Sequence, residues 1–185
     1  MENKDIEYYE SLFKTLHTNV YKGKSAPHKA MLLLSIFDLV EDGTIYDSHI
    51  QLTDELEQTY KKLWKKLLGK SLLFSPDVYK PYYHMDYEQF WRLIPVDEKC
   101  NVGSVVSMSK EDPRYTKNWM RSHYKFAEID EELFQLLKNE NVRAQFRLLL
   151  IGTYLVNQPI EIDIKSSVKL TSVGLLSAIL GVFVA

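Results

Sequence analysis

From His28 to Val40 the chain is apolar on nearly every side of a helix, broken only by Lys29, Ser35 and Asp38. A helix of that kind has to lie at the centre of a fold, because no face of it is suited to water. Pro27 stands just before it, where the N–H that proline lacks has no helical partner to lose, and Asp42-Gly43 closes it. With 185 residues the chain is long enough to surround such a helix within one domain.

The flanking segments supply the surround. Ile6, Tyr9, Leu12, Phe13 and Leu16 predict an amphipathic helix over Ile6 to His17, and Gly23 and Pro27 then punctuate the chain. Thr44 to Leu52 reads as a short strand or hairpin arm. Thr53, followed by Asp54 and Glu55, is a strong N-cap for a helix that runs to Leu68 and carries Lys61, Lys62, Lys65 and Lys66. Lys70 to Pro81 reads as loop. Tyr82 to Met85 and Phe90 to Ile94 then predict a hairpin turning at Asp86 to Gln89. Val102 to Met108 suggests another strand, Pro113 to His123 a weaker helix, Ile129 to Leu137 a short helix and Asn141 to Val156 a longer one. The sum is an α+β fold, a mainly helical single domain with a small antiparallel sheet. It is expected to fill residues 1–157, with 158–185 as an apolar C-terminal tail. Leu170 to Ala185 carries no charge but falls short of the roughly 20 residues that span a bilayer. A buried element, a weak membrane segment and a tail foreign to the domain all stay open for it.

Charge and chemistry narrow the functions. The formal net charge is -2, so any attraction for nucleic acid has to be local. A lone cysteine, Cys100, excludes a disulfide framework or a cysteine-rich zinc site. The polar, acidic N-terminus does not read as a signal peptide, so a cytoplasmic protein is expected. His17, His28, His49, His84 and His123 are scattered without metal-ligand spacing. There is no phosphate-cradling glycine loop and no nucleophile motif, so neither a catalytic residue, nor a metal, nor a cofactor is expected.

Two groups of cations suit a nucleic-acid backbone. Lys22, Lys24, His28 and Lys29 gather at the start of the central helix, where free backbone N–H groups favour an anion. Lys110, Arg114, Lys117, Arg121 and Lys125 recur at spacings that one helix face would align, with Tyr115, Trp119 and Tyr124 among them and Lys80 and Arg92 nearby. A solvated face gives the same pattern. The block Tyr79 to Trp91 is aromatic, and strand alternation would turn one side of it to the core and offer the other, with Pro81, to a ligand.

Four blocks in order carry a family resemblance: Ala26-Pro-His-Lys-Ala-Met-Leu-Leu-Leu, Asp42-Gly-Thr-Ile, Pro81-Tyr-Tyr-His-Met and Phe90-Trp-Arg-Leu. Together they resemble the sulfur-binding domain that precedes an HNH nuclease in modification-dependent restriction endonucleases. The similarity runs over about residues 5 to 156. The resemblance implies a bacterial phage-defence module that binds double-stranded DNA with a phosphorothioate backbone. Sulfur is larger, softer and less hydrated than oxygen, so an apolar cup with a cation beside it would favour it. The resemblance places Pro81 and Tyr82 in the cup, His84 at its wall, Lys80 beside it, and His28 and Lys29 as donors. Lys24, Lys110, Arg114, Lys117 and Arg121 would meet flanking phosphates or bases.

This sequence departs from the family pattern at Lys80, where an aromatic is usual, and at Ala30, where proline is common. Beyond Tyr154 it has no histidine or cysteine, and Asp163 is its one aspartate, so HNH cleavage is not expected from it. A separate nuclease subunit, or a second copy of the chain, is then an expected partner. Two alternatives belong to other classes. One is a metal-dependent nuclease using Asp86, Glu88, Asp112 or Glu128. The other is a protein-interaction or membrane-associated defence component using the tail.

Overall fold

The computed structural model describes residues 4–70, 73–97, 113–156 and 158. It is a mainly helical α+β domain built around the predicted central helix. Helix α1 (Ile6–Lys14) is capped by Asp5, whose Oδ1 accepts the Tyr8 N–H at 3.0 Å. A two-residue-per-strand hairpin follows, β1 (Val20–Tyr21) with β2 (Lys24–Ser25). Its turn puts both Lys22 (φ 50°) and Gly23 (φ 73°) in the left-handed region, as a tight hairpin of this twist requires. Helix α2 (His28–Glu41) has every residue from Lys29 to Phe37 buried. After the short strand β3 (His49–Ile50) comes α3 (Asp54–Leu67), capped by Thr53. Helix α4 (Tyr79–His84) leads through a 3-10 turn (Met85–Tyr87) into β4 (Trp91–Pro95). A second 3-10 turn (Pro113–Tyr115) precedes α5 (Lys117–His123), followed by β5 (Tyr124–Ile129), α6 (Glu131–Leu137) and α7 (Glu140–Tyr154).

Helices α3, α4 and α7 all pack on α2, and α1 packs on α7. Phe13 of α1 meets Phe146 of α7 edge-on at 5.0 Å and Phe90 at 5.3 Å, so one ring joins three parts of the core. The sheet is antiparallel in the order β3-β5-β4, with β5 central. Arg147 of α7 is buried against α2, where it pairs with Asp38 and, at 2.7 Å, with Glu41. Arg143, one turn earlier, donates to the Leu137 and Lys138 carbonyls at 2.8 and 3.1 Å and so closes the end of α6.

Four expectations need correcting. Tyr82 to Met85 is not a strand: the segment is helix α4 and the start of the 3-10 turn, and β4 pairs with β5 instead of with a hairpin partner. Asp77 decides this by accepting the Tyr79 and Lys80 N–H groups at 3.0 and 3.3 Å, which starts a helix whose first full bond is Tyr82 N–H to the Val78 carbonyl. Pro81 then falls in the first turn, where its missing N–H costs nothing. Lys70 to Pro81 is accordingly not all loop. The arm Thr44 to Leu52 contributes only His49–Ile50 to the sheet, and the third strand is Tyr124–Ile129, whose partners are distant in sequence. Val102 to Met108 and the tail from Pro159 lie outside the described residues.

Tyr82 ties α4 to the sheet. Its ring is 1% exposed, and its hydroxyl donates to the Ile50 carbonyl at 2.6 Å while accepting the Ala127 N–H at 2.8 Å. Ile50 and Ala127 are opposite each other on β3 and β5, so one hydroxyl serves both strands. Removing it leaves two buried backbone groups unpaired, each worth about 1–3 kcal/mol. Tyr82→Phe is therefore expected to lower the unfolding free energy by at least ~1 kcal/mol in urea titration with an unchanged slope; an unchanged midpoint would refute this role.

Candidate nucleic-acid interface

The start of α2 is built inward. Lys29 is 6% exposed, and its Nζ lies 2.5 Å from Glu88 Oε1, which also accepts the His17 N–H at 2.9 Å. The other Glu88 oxygen is 3.3 Å from His17 Nδ1. Lys29 is thus engaged within the core and is not a donor to an outside ligand, which corrects that part of the expectation. His28 is half-buried beside Trp64 (5.0 Å) and Phe74 (5.6 Å). Its Nε2 lies 3.0 Å from the Ser75 carbonyl, an acceptor only, so that nitrogen carries the proton. Burial pushes the imidazole below its ordinary value of 6.5, so it is neutral at pH 7. Lys24 is half-buried in β2.

Helix α4 divides the aromatic block. Pro81 and Tyr82 face the core, so neither ring offers an open cup wall. Lys80 faces outward, 3.7 Å from Asp77, with its Nζ 5.5 Å from the centre of the Tyr115 ring. Both Lys80 and Asp77 are close enough to His28 to act on its charge. The Tyr115 hydroxyl lies 2.9 Å from His84 Nε2, and the His84 ring stacks on Tyr87 at 5.9 Å with 13° between the planes. Arg114 lies over Tyr83 at 5.7 Å and over Tyr115 at 5.9 Å. Tyr87 is 70% exposed. The structure thus brings Lys80, His84 and Arg114 together with Tyr83, Tyr87 and Tyr115 in one strip across α4 and the two 3-10 turns. The cations Lys80 and Arg114 are attracted to the ring faces they lie over.

The basic stripe is not one helix face. Arg114 belongs to the separate 3-10 turn, α5 ends at His123, and Lys125 is exposed on β5; Lys110 lies outside the described residues. Only Lys117 and Arg121 share a helix face, and the acidic first turn of α3 meets them both. Lys117 Nζ is 2.5 Å from Asp54 and 3.1 Å from Glu57, and Arg121 Nη2 is 2.9 Å from Asp54. Arg121 also donates from Nε and Nη2 to the Leu52 carbonyl, at 3.0 and 2.9 Å. Lys61, with help from Tyr79 and Lys117, draws the Glu57 carboxyl down to about 2. Arg92 on β4 is held likewise by Glu128 at 2.6 Å.

The carboxylates proposed as metal ligands are engaged too. Asp86 accepts the Leu93 N–H at 2.8 Å, Glu88 holds Lys29, and Glu128 holds Arg92; Asp112 lies outside the described residues. Among the described residues no group of three or more His, Cys, Asp or Glu is placed to hold a metal ion, and no helix is long and apolar enough to cross a membrane. In comparisons with known proteins, no family model matches this chain and no curated protein matches it.

The sequence located Lys80, His84 and Arg114 but not what joins them. Tyr115 appeared only as one aromatic among cations and Tyr87 as part of a hairpin. The local signal was Asp77, two residues before Tyr79, as a helix cap. Two predictions follow from burial at the α2 start. Because the unfolded chain binds a proton on His28 that the folded state resists, His28 contributes stability that is complete above about pH 6.5 and declines as pH falls below it. NMR titration should place its pKa below 6.5, and His28→Gln should remove that part of the pH dependence. Glu88→Gln leaves Lys29 without its counter-charge, and unfolding titrations should show a loss of about 3–5 kcal/mol.

Proposed function

We propose that this chain is a cytoplasmic DNA-binding module of a restriction-type defence system, recognising phosphorothioate-modified double-stranded DNA. The observation that carries backbone binding is the strip of Lys80, Arg114 and His84 laid among Tyr83, Tyr87 and Tyr115. It combines phosphate-seeking cations with ring faces, as proteins that track a nucleic-acid backbone do. With a net charge of -2, attraction for a nucleic-acid backbone has to be local. The sulfur preference rests on the resemblance of the Pro81 and His28 blocks to the sulfur-binding domain. The contact set differs from that pattern: Pro81, Tyr82 and Lys29 support the fold, and Lys80, His84, Arg114 and the exposed Tyr87 ring meet the DNA.

Fluorescence anisotropy with two short duplexes, identical except for one R-configured phosphorothioate, tests this over a salt series. Tighter binding to the sulfur duplex is expected, and Lys80→Ala and Arg114→Ala should each weaken it and reduce the log-log salt slope by about 0.9. Equal affinity for both duplexes would remove the sulfur preference. No binding to either at low salt would overturn the reading.

A further inference from the structure

A pocket of about 270 Å³ opens between β3, α5 and β5, away from the residues that the strip uses directly. Its floor is apolar and deep: Leu52, Tyr82 and Met120 are 7%, 1% and 1% exposed. Its rim is polar, with Gln51, Thr53, Arg121, Tyr124 and Lys125. Tyr124 is the link to the strip, since its ring is 6.2 Å from Tyr83, which lies 6.0 Å from Tyr115.

The chemistry of the lining selects its occupant. The volume is several times the roughly 30 Å³ of a water molecule, so a lone phosphate would leave the apolar floor uncovered. It falls just below the ~300–1,000 Å³ of pockets that take drug-sized ligands, which suits one planar ring system and its sugar edge. Tyr124 supplies an aromatic wall. The Thr53 hydroxyl accepts the Leu56 N–H at 3.2 Å and keeps its own proton to donate. The Gln51 amide has no hydrogen-bond partner among the described residues and offers donors and an acceptor at the mouth. Arg121 is fixed there by the Leu52 carbonyl and Asp54, and Lys125 is exposed with no carboxylate partner among the described residues. Asp54, beside the rim, pairs with both Lys117 and Arg121.

We infer that this pocket takes a single nucleobase, with Lys125 on the phosphate attached to it. The base comes either from a DNA strand bound along the strip, extruded as enzymes and readers of single bases do, or from a free nucleotide. The first source rests on the DNA-binding reading; the second does not.

The full chain is mixed in turn with a duplex carrying one central 2-aminopurine and with free 2-aminopurine deoxyriboside monophosphate, while duplex anisotropy is recorded separately. Extrusion into the pocket should raise the duplex's 2-aminopurine emission about fivefold or more as its stacking is lost. Gln51→Phe, which narrows the mouth from an exposed position, should abolish that rise while duplex affinity stays within about threefold, and Lys125→Glu should reduce it. Circular dichroism melts identify any variant that fails to fold. Binding of the free nucleotide without a duplex signal supports the pocket and assigns it the free source. Tight duplex binding with neither emission change nor free-nucleotide binding overturns this inference and leaves the DNA reading intact. A free-nucleotide response without duplex binding does the reverse. Silence in every arm overturns both.

Discussion

Glu88 is the residue on which the arrangement of the site depends. It is a buried carboxylate that receives the Lys29 ammonium and the His17 N–H, and so it joins the end of α1, the first turn of α2 and the turn before β4. A buried charge is tolerable only with its partners in place, and three separate segments are therefore held to one geometry. The turn that carries Glu88 is continuous with α4 and the first 3-10 turn, where Lys80, His84 and Tyr87 stand. The strip thus inherits its position from a largely buried ion pair. Tyr82 completes the hold from the other side by fastening α4 to β3 and β5.

The same logic sorts the cations. Those whose neighbours are carboxylates, Lys29, Arg92, Lys117, Arg121, Arg143 and Arg147, fix elements to one another. Lys80, 3.7 Å from Asp77, and Arg114 also lie against rings. Net charge says little about such a molecule. What matters is which cations the fold neutralises, and α3 does much of that by turning its acidic first turn toward α5.

Much of the architecture was legible along the chain. The all-round apolar helix, the Thr53 cap and the helices near 131–137 and 140–154 follow from periodicity and capping, which are local signals. Helix α4 did not, because Tyr82 and Met85 are bulky residues that suit a strand as well as a helix, and the deciding Asp77 bonds lie upstream of the pattern. Strand β5 was not legible, because its partners at His49–Ile50 and Trp91–Pro95 are far away in sequence. The basic stripe was visible as spacing, but spacing carries no information about the opposing Asp54 and Glu57. The candidate site was legible as a set of residue types. Its membership was decided by burial, which removed Lys29, Pro81 and Tyr82.

The arginines of α7 have a mechanical consequence. Arg147 reaches two carboxylates on α2, and Arg143, one turn back, is locked onto the end of α6. Sliding α7 along α2 by a single turn would strand a buried guanidinium, so the two helices are keyed like a tooth in a rack. Past the end of α7, Gln158 donates to the Ser25 carbonyl at 2.8 Å, close to where α2 begins. A pull or a docking event at Gln158 is therefore transmitted along a stiff strut to the turn that bears His28 and Lys29, with little slack to absorb it.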